Sequence, residues 1–352
     1  MKICGIICEY NPLHKGHIYQ INKARQLTGA DYVVCIMSGS FVQRGENAVF
    51  DKFSRAKAAV ESGADACLEL PQIFALQSAQ YFALGGVLAA DTIGCTHLCF
   101  GSECGDLTLM QDFSEPETFR ESLASGASYG NSLSAFEGQP NSMLGREYLK
   151  AIDLIKSDIK PVTLLREPDF ASASRIRSEL LVGSTNKEMY PFNISPVFFE
   201  KFFPIIKYKL ITMSAEELSN VCGVSEGLEH KIKKEILCSN SVDELIHNIK
   251  SKRYTYSRIS RILCCALLDI TKDKLTEVIK YPPKLKLLAI KKEKTALLSI
   301  LDNYYISPLD SQNYDKSTEI SSATNVLATH VYSVMYSGLL GDEDYTLGLM
   351  KV

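Results

Sequence analysis

Two histidines stand three residues apart near the start of the chain, in Cys8-Glu9-Tyr10-Asn11-Pro12-Leu13-His14-Lys15-Gly16-His17. They are two of only six histidines in the sequence. At that spacing both imidazoles lie on one face of a starting helical turn. Gly16 carries no side chain between them, which leaves the backbone open to a ligand. The free N–H groups and the dipole of a helix N-terminus favour an anion. Two imidazoles placed there can donate hydrogen bonds to phosphate oxygens as charge grows in a transition state. The bland reading is a turn with two surface histidines; its place after the first strand-like run favours phosphate chemistry.

A second constellation is Ala171-Ser172-Ala173-Ser174-Arg175-Ile176-Arg177. Hydroxyls at a helix start followed by arginine make an anion clamp. Taken alone, the same residues are equally a serine N-cap with an exposed arginine. The two elements together are more specific than either.

These residues need a scaffold, and the first 180 residues supply an alternation of strand and helix patterns. Strand-like runs are Lys2–Cys8, Asp31–Met37, Ala66–Leu70, His97–Gly101 and Lys160–Leu165. Helical patterns are Gly16–Leu27, Asp51–Ser62, Gln77–Thr92, Asn141–Ile155 and Ser174–Leu181. Such alternation implies an α/β fold, a Rossmann-like parallel sheet covered on both faces. Ligands bind outside the carboxyl ends of its strands. The Gly-, Ser- and Asn-rich stretch Gly126–Asn141 reads as a long loop. From about Tyr190 the alternation stops and helical periodicity takes over, as in Ala215–Val221, Gly227–Leu237, Val242–Lys250 and Ser257–Leu268. The expected organisation is an α/β domain over 1–185 and a mostly helical domain over 186–352, with the boundary near 182–192.

Composition narrows the class. The chain has 352 residues, 46% apolar and 22% charged, which excludes wholesale disorder. It contains no run of 18 apolar residues, so no membrane-spanning helix is expected. The N-terminus enters strand-like sequence at once, without a signal-peptide pattern, and a cytoplasmic protein is expected. Eleven scattered cysteines, without any C-x-x-C, argue against a disulfide framework. Cys95, Cys99 and Cys104 lack the spacing of a zinc site, so no metal site is expected. The net charge of −3 gives no global sign of nucleic-acid binding. Charge is nevertheless segregated: residues 250–294 hold 13 Lys/Arg against 4 Asp/Glu, interleaved with aromatics at Arg253-Tyr254-Thr255-Tyr256-Ser257-Arg258. That stretch is either a solvated helix face or a phosphate-backbone contact surface.

H-x-G-H at the first turn with S-x-I-R near the end of the domain resembles the nucleotidyltransferase relatives of class I aminoacyl-tRNA synthetases. Further segments narrow the likeness: Met37-Ser38-Gly39-Ser40-Phe41-Val42-Gln43-Arg44-Gly45-Glu46, Asp51-Lys52-Phe53-Ser54-Arg55-Ala56, Glu69-Leu70-Pro71, Gln77-Ser78-Ala79, Phe100-Gly101-Ser102-Glu103, Pro140-Asn141-Ser142-Met143-Leu144-Gly145, Tyr254-Thr255-Tyr256-Ser257-Arg258-Ile259-Ser260-Arg261 and Ala328-Thr329-His330-Val331-Tyr332. In this order they resemble the bacterial tRNA(Met) cytidine acetate ligase family over most of the chain. The resemblance implies that ATP converts acetate to acetyl-AMP with release of pyrophosphate. The N4 amine of the wobble cytidine of elongator tRNA(Met) then takes the acetyl group.

It further implies catalytic roles for His14, His17, Ser174 and Arg177. The implied ATP contacts are Ile7, Cys8, Glu9, Tyr10, Asn11, Pro12, Leu13, His14, Lys15, Gly16, His17, Ile18, Tyr19 and Gln20, with Gly101, Asn141 and Arg166. Gln43, Arg44, Asp51 and Lys52 are candidates for acetate, phosphate or cytidine contacts, or for loop hydrogen bonds and an N-cap. Arg253, Arg258 and Arg261 are candidates for tRNA contact, the last two on one helix face. Mg²⁺ is expected through the phosphates of ATP. A homodimer is left open. The family's A-S-A-T is here A-S-A-S, which keeps the hydroxyl, and the loop after Leu165 lacks the family's His-Asp. The competing readings are a nucleotidyltransferase acting on a small metabolite and a non-catalytic RNA-binding protein on a relic nucleotide-binding fold.

Overall fold

The computed structural model describes residues 1–111, 139–166, 169–184, 186–190, 192–309 and 314–352. The first half runs β1 (Ile3–Cys8), α1 (Lys15–Thr28), β2 (Tyr32–Ser38), a small hairpin of β3 (Phe41–Val42) and β4 (Glu46–Asn47), α2 (Lys52–Glu61), β5 (Ala66–Leu70), α3 (Gln72–Ala75), α4 (Ala79–Thr92), β6 (His97–Ser102), α5 (Leu107–Gln111), α6 (Pro140–Ile155), β7 (Lys160–Leu165) and α7 (Ala173–Leu181). The second half runs α8 (Phe203–Thr212), α9 (Ala215–Asn220), α10 (Leu228–Cys238), α11 (Val242–Ile249), α12 (Tyr256–Leu267), α13 (Lys272–Lys280), β8 (Leu285–Ile290), β9 (Tyr304–Tyr305), α14 (Lys316–Met335), α15 (Glu343–Thr346) and β10 (Met350–Lys351). The expected strands and helices of the first half fall within a few residues of these bounds. Most of the loop expected over Gly126–Asn141 lies outside the described residues.

The sheet has the order β10-β8-β5-β2-β1-β6-β7, with β9 beside β8. From β5 to β7 every pair is parallel. The chain moves outward from β1 through β2 to β5, then returns to β6 on the other flank of β1. That reversal opens a crevice at the carboxyl ends of β1 and β6, where such sheets bind ligands. Both faces are covered. Val34, Ile36, Leu68 and Leu70 pack with Phe82, Val87 and Leu149 on one side. Ile6, Val33, Cys35 and Met37 pack with Ile21, Phe53 and Ala56 on the other. Burial on both faces explains why these strands read as continuous apolar runs.

The second half runs through helices as far as Lys280 and then adds strands that the sequence reading did not mark: β8 pairs antiparallel with β5 and β10 pairs with β8, so this half also supplies a sheet edge. The sequence Leu285-Lys286-Leu287-Leu288-Ala289-Ile290 is buried throughout, but lysines within and around it mask a strand signature. Strands of two residues carry no periodicity at all. All eleven cysteines are free. Among the described residues no helix is long and apolar enough to cross a membrane.

Candidate active site

The turn after β1 is built around His14. Its extended backbone makes it the N-cap of α1, and its Nδ1 accepts a hydrogen bond from Gly16 N at 3.1 Å. An accepting Nδ1 leaves the ring proton on Nε2. The His17 ring stacks on it, with centroids 3.7 Å apart and planes at 28°. Tyr10, buried and at φ 47°, leans its ring against His17 at 5.0 Å. Its hydroxyl meets Cys35 Sγ at 3.2 Å.

Burial and the adjacent Arg166 lower the His14 pKa to about 4. Burial, then His14 and Arg166, hold His17 well below the usual histidine range. Both rings are therefore neutral donors at pH 7. His17 Nδ1 is buried and unpartnered. Segment 186–190 clasps the turn from outside: Lys15 N donates to Glu188 O at 2.9 Å, and Tyr190 N to Leu13 O at 3.0 Å. Lys15 Nζ also pairs with Glu188 Oε1 at 3.1 Å, and sequence reasoning missed this clasp because its partners lie 173 residues apart.

The other wall of the crevice is the end of β6. A Cβ added at Gly101 would meet Arg166 Cγ at 3.3 Å, so the Arg166 stem lies across this glycine. Glu103 caps α6 with both oxygens. Oε1 accepts from Asn141 Nδ2 at 2.5 Å, and Oε2 from Ser142 N and Oγ at 2.7 and 2.9 Å. Burial pushes the Glu103 carboxyl up, but these hydrogen bonds outweigh it and hold the pKa below the ordinary value. Asn141 is thereby fixed to Glu103, just beyond the end of β6.

The second anion element stands opposite. Ser172, not Ser174, is the N-cap of α7 and accepts from Arg175 N at 3.2 Å. This frees the Ser174 hydroxyl to meet Arg177 Nη2 at 3.3 Å. Arg177 Nη1 donates to Asn11 O at 2.8 Å, and Arg177 Nε stands 3.4 Å from Glu46 Oε1. The structure thus brings the loop after β1 and the start of α7 together. It also brings in Glu46, to which its place in the sequence motif gave no role.

The loop after β2 is held from within. Arg55, fully buried on α2, donates to Phe50 O at 2.9 Å, Glu9 O at 2.6 Å, Ser38 O at 3.0 Å and Gly39 O. One guanidinium therefore knits the loops after β1 and β2. Gln43 N donates to Glu9 Oε1 at 2.9 Å. Asp51 is the N-cap of α2, accepting from Ser54 N and Oγ at 2.8 and 2.7 Å.

Lys52 is placed differently from the other candidates. It is 1% exposed and bonds Glu69 at 2.8 Å and Asp344 at 2.8 Å, and Asp344 in turn bonds Lys286 at 2.5 Å. This buried quartet has no net charge, and it engages the Lys52 ammonium fully. Burial works against the Lys52 charge, but the two carboxylates dominate and raise its pKa.

The basic stretch does not form one surface. Arg253 pairs with Glu226 at 2.6 Å. Arg258 lies over Tyr254 and donates to Gly223 O at 3.1 Å. Arg261 reaches Gln43 O at 3.3 Å, which ties α12 to the hairpin loop. Lys286 is buried in the quartet, and Lys294 sits over Tyr32 at the N-terminal end of β2, the far end of the strands from the histidines. Among the described residues no group of three or more His, Cys, Asp or Glu is placed to hold a metal ion.

The chain matches the model of the HIGH nucleotidyl transferase family over residues 1–344. It is 36% identical to the tRNA(Met) cytidine acetate ligase of Clostridium novyi (strain NT), covering 98% of both chains. It is 32% identical to the enzyme of that name from Acetivibrio thermocellus, over 96% of this chain and 95% of the relative. The crystal structure of Thermotoga maritima TmcAL bound with alpha-thio ATP is similar with a TM-score of 0.89 at 26% identity, covering all of both chains. The apo form of that protein gives 0.88.

Proposed function

The chain belongs to the HIGH nucleotidyl transferase family, among its tRNA(Met) cytidine acetate ligases, and from that premise we propose that its stacked histidines drive the adenylation of acetate. The protein is an ATP-dependent ligase that acetylates cytidine in tRNA. Acetate is a poor acyl donor because its leaving group would be oxide. Attack of the acetate carboxylate on the α-phosphorus of ATP forms acetyl-AMP and expels pyrophosphate. The cytidine N4 amine then attacks the acetyl carbonyl, and AMP leaves. No covalent enzyme intermediate is required, so the protein's work is positioning and charge stabilisation.

The stacked pair His14–His17 at the reversal point of the sheet carries this assignment. His14 Nε2–H donates to the phosphate oxygens on which charge grows. A neutral imidazole does so without the desolvation cost of a buried cation. Ser174 and Arg177 hold the far phosphates, with Arg166 across Gly101 neutralising charge near the histidines. The backbone from Ile7 to Gln20, with Asn141, shapes the nucleotide site. Any Mg²⁺ arrives on the phosphates of ATP, held by them and by water, since the described residues offer no cluster of ligands. The tRNA is the elongator tRNA(Met), and the N-terminal half of α12 offers arginines to its phosphates.

The test is pyrophosphate release from ATP by the purified protein with and without acetate. The ligase requires acetate. Release that ignores acetate but answers to a small phosphorylated metabolite would mark a metabolite nucleotidyltransferase instead. Absence of any release from folded protein would mark a relic.

A further inference from the structure

A cleft of about 310 Å³ lies between the β3–β4 hairpin, the start of α7 and the segment leading into Phe199. Arg177 forms one wall, so the cleft adjoins the nucleotide site. Its other walls include Arg44, Glu46, Asn47, Phe198 and Phe199. Two acceptors there lack hydrogen-bond partners although they are buried: Glu46 Oε1 and Asn47 Oδ1. Asn47, 2% exposed, commits its Nδ2 to Ala48 O and Val197 O at 2.8 and 2.9 Å, which fixes the amide orientation and leaves Oδ1 bare. Arg177 Nε forms an ion pair with Glu46 Oε1 at 3.4 Å but makes no hydrogen bond to it.

Buried acceptors without donors are costly and point to a ligand that brings N–H groups. A triphosphate, which Ser174 and Arg177 on the facing wall are assigned to hold, brings only acceptors and cannot satisfy these two oxygens. A base with an exocyclic amine brings donors, and the half-buried phenylalanines Phe198 and Phe199 offer rings on which such a base stacks. The hairpin wall is also tied to the second half of the chain. Ser260 Oγ on α12 donates to Gly45 O at 2.5 Å, and Arg261 donates to Gln43 O at 3.3 Å.

We propose that this cleft receives the acceptor cytosine, its N4 amine donating to Asn47 Oδ1 and Glu46, with Glu46 as the group that takes the proton. This inference rests on the ligase reading and assigns its second substrate a place. The N4 lone pair forms the bond to the acetyl carbon of acetyl-AMP. The bond from that carbon to the phosphate oxygen breaks, and AMP leaves with its electrons. The surplus N4 proton passes to the Glu46 carboxylate and from there to water. Cytosine N4 is a weak nucleophile because its lone pair is delocalised into the ring, so a carboxylate acceptor raises its reactivity as bonding begins.

The test uses full-length protein and an anticodon stem-loop whose wobble cytidine is replaced by 5-iodocytidine. Irradiation is expected to cross-link that base to Phe198 or Phe199, read by peptide mass spectrometry. In parallel, Glu46→Gln is assayed for acetylation of unmodified tRNA and for acetate-dependent ATP–pyrophosphate exchange. Acetylation is expected to fall about 10²-fold, at least tenfold more than exchange does, with Glu46→Asp restoring part of it. Cross-linking elsewhere, equal losses in both assays, or labelling of the same phenylalanines by 8-azido-ATP would overturn the assignment. Wild-type protein that acetylates no tRNA would remove the ligase reading as well. Wild-type protein that acetylates tRNA while the cross-link lands elsewhere would remove this site alone.

Discussion

At the residue scale the chemistry depends on two imidazoles that are uncharged before substrate arrives. His14 titrates near 4 rather than 6.5, so between these values the unfolded chain binds a proton that the folded chain does not. This contribution to stability is present above pH 6.5 and is lost as pH falls toward 4. Nitrogen-15 spectra of the imidazoles at pH 7 should show a neutral His14 protonated on Nε2; an imidazolium signal there would contradict the assigned donor. His17→Ala should lower turnover about 10²–10³-fold, as loss of a transition-state donor does, while the melting transition stays cooperative. Full activity in the folded variant would remove the role. The histidine pair was legible because its chemistry lies in short-range spacing. Lys52 was not: its partners Glu69 and Asp344 lie 17 and 292 residues away, and nothing near it in sequence reveals its burial.

At the element scale the contact between α12 and the β3–β4 hairpin joins the two halves at the site. Gly45 sits at φ +84° with no room for a Cβ, which would overlap the α12 backbone at Ser260 and Arg261. Gly45→Ala should therefore lower the melting temperature and slow tRNA acetylation together. A variant as stable and active as wild type would show that this close packing is dispensable. On the same helix, Arg258→Ala with Arg261→Ala should weaken tRNA binding and flatten its salt dependence, by about one unit of slope for each phosphate that is no longer neutralised. Unchanged affinity and slope would assign both side chains to the structural bonds they make with Gly223 and Gln43. The helices of the second half were legible from their periodicity. Strand β8 was hidden, because the lysine that reads as a solvent residue is the one that enters the buried quartet.

At the scale of the whole molecule, the quartet of Lys52, Glu69, Lys286 and Asp344 ties α15 to α2 and to strands β5 and β8. Thr329 Oγ1 completes it with a hydrogen bond to Asp344 Oδ2 at 2.5 Å. Burial pushes the Asp344 carboxyl up, but Lys52 and Lys286 outweigh it and bring its pKa down to about 2. Removing one partner of a buried ion pair typically costs about 3–5 kcal/mol. Asp344→Ala, which leaves the buried Lys286 ammonium without a carboxylate and Lys52 with Glu69 alone, should lower unfolding free energy by that order in urea titration; a change within about 0.5 kcal/mol would deny the quartet its role. The parallel sheet could be read from the alternation of strands and helices. Its antiparallel edge rests on contacts between distant segments, which no local pattern records. The most direct test incubates the purified protein with ATP, Mg²⁺, ¹³C-acetate and tRNA from a host lacking the modification, and analyses the nucleosides by mass spectrometry. Labelled N4-acetylcytidine is the predicted product. ATP consumption without that product would contradict the ligase assignment.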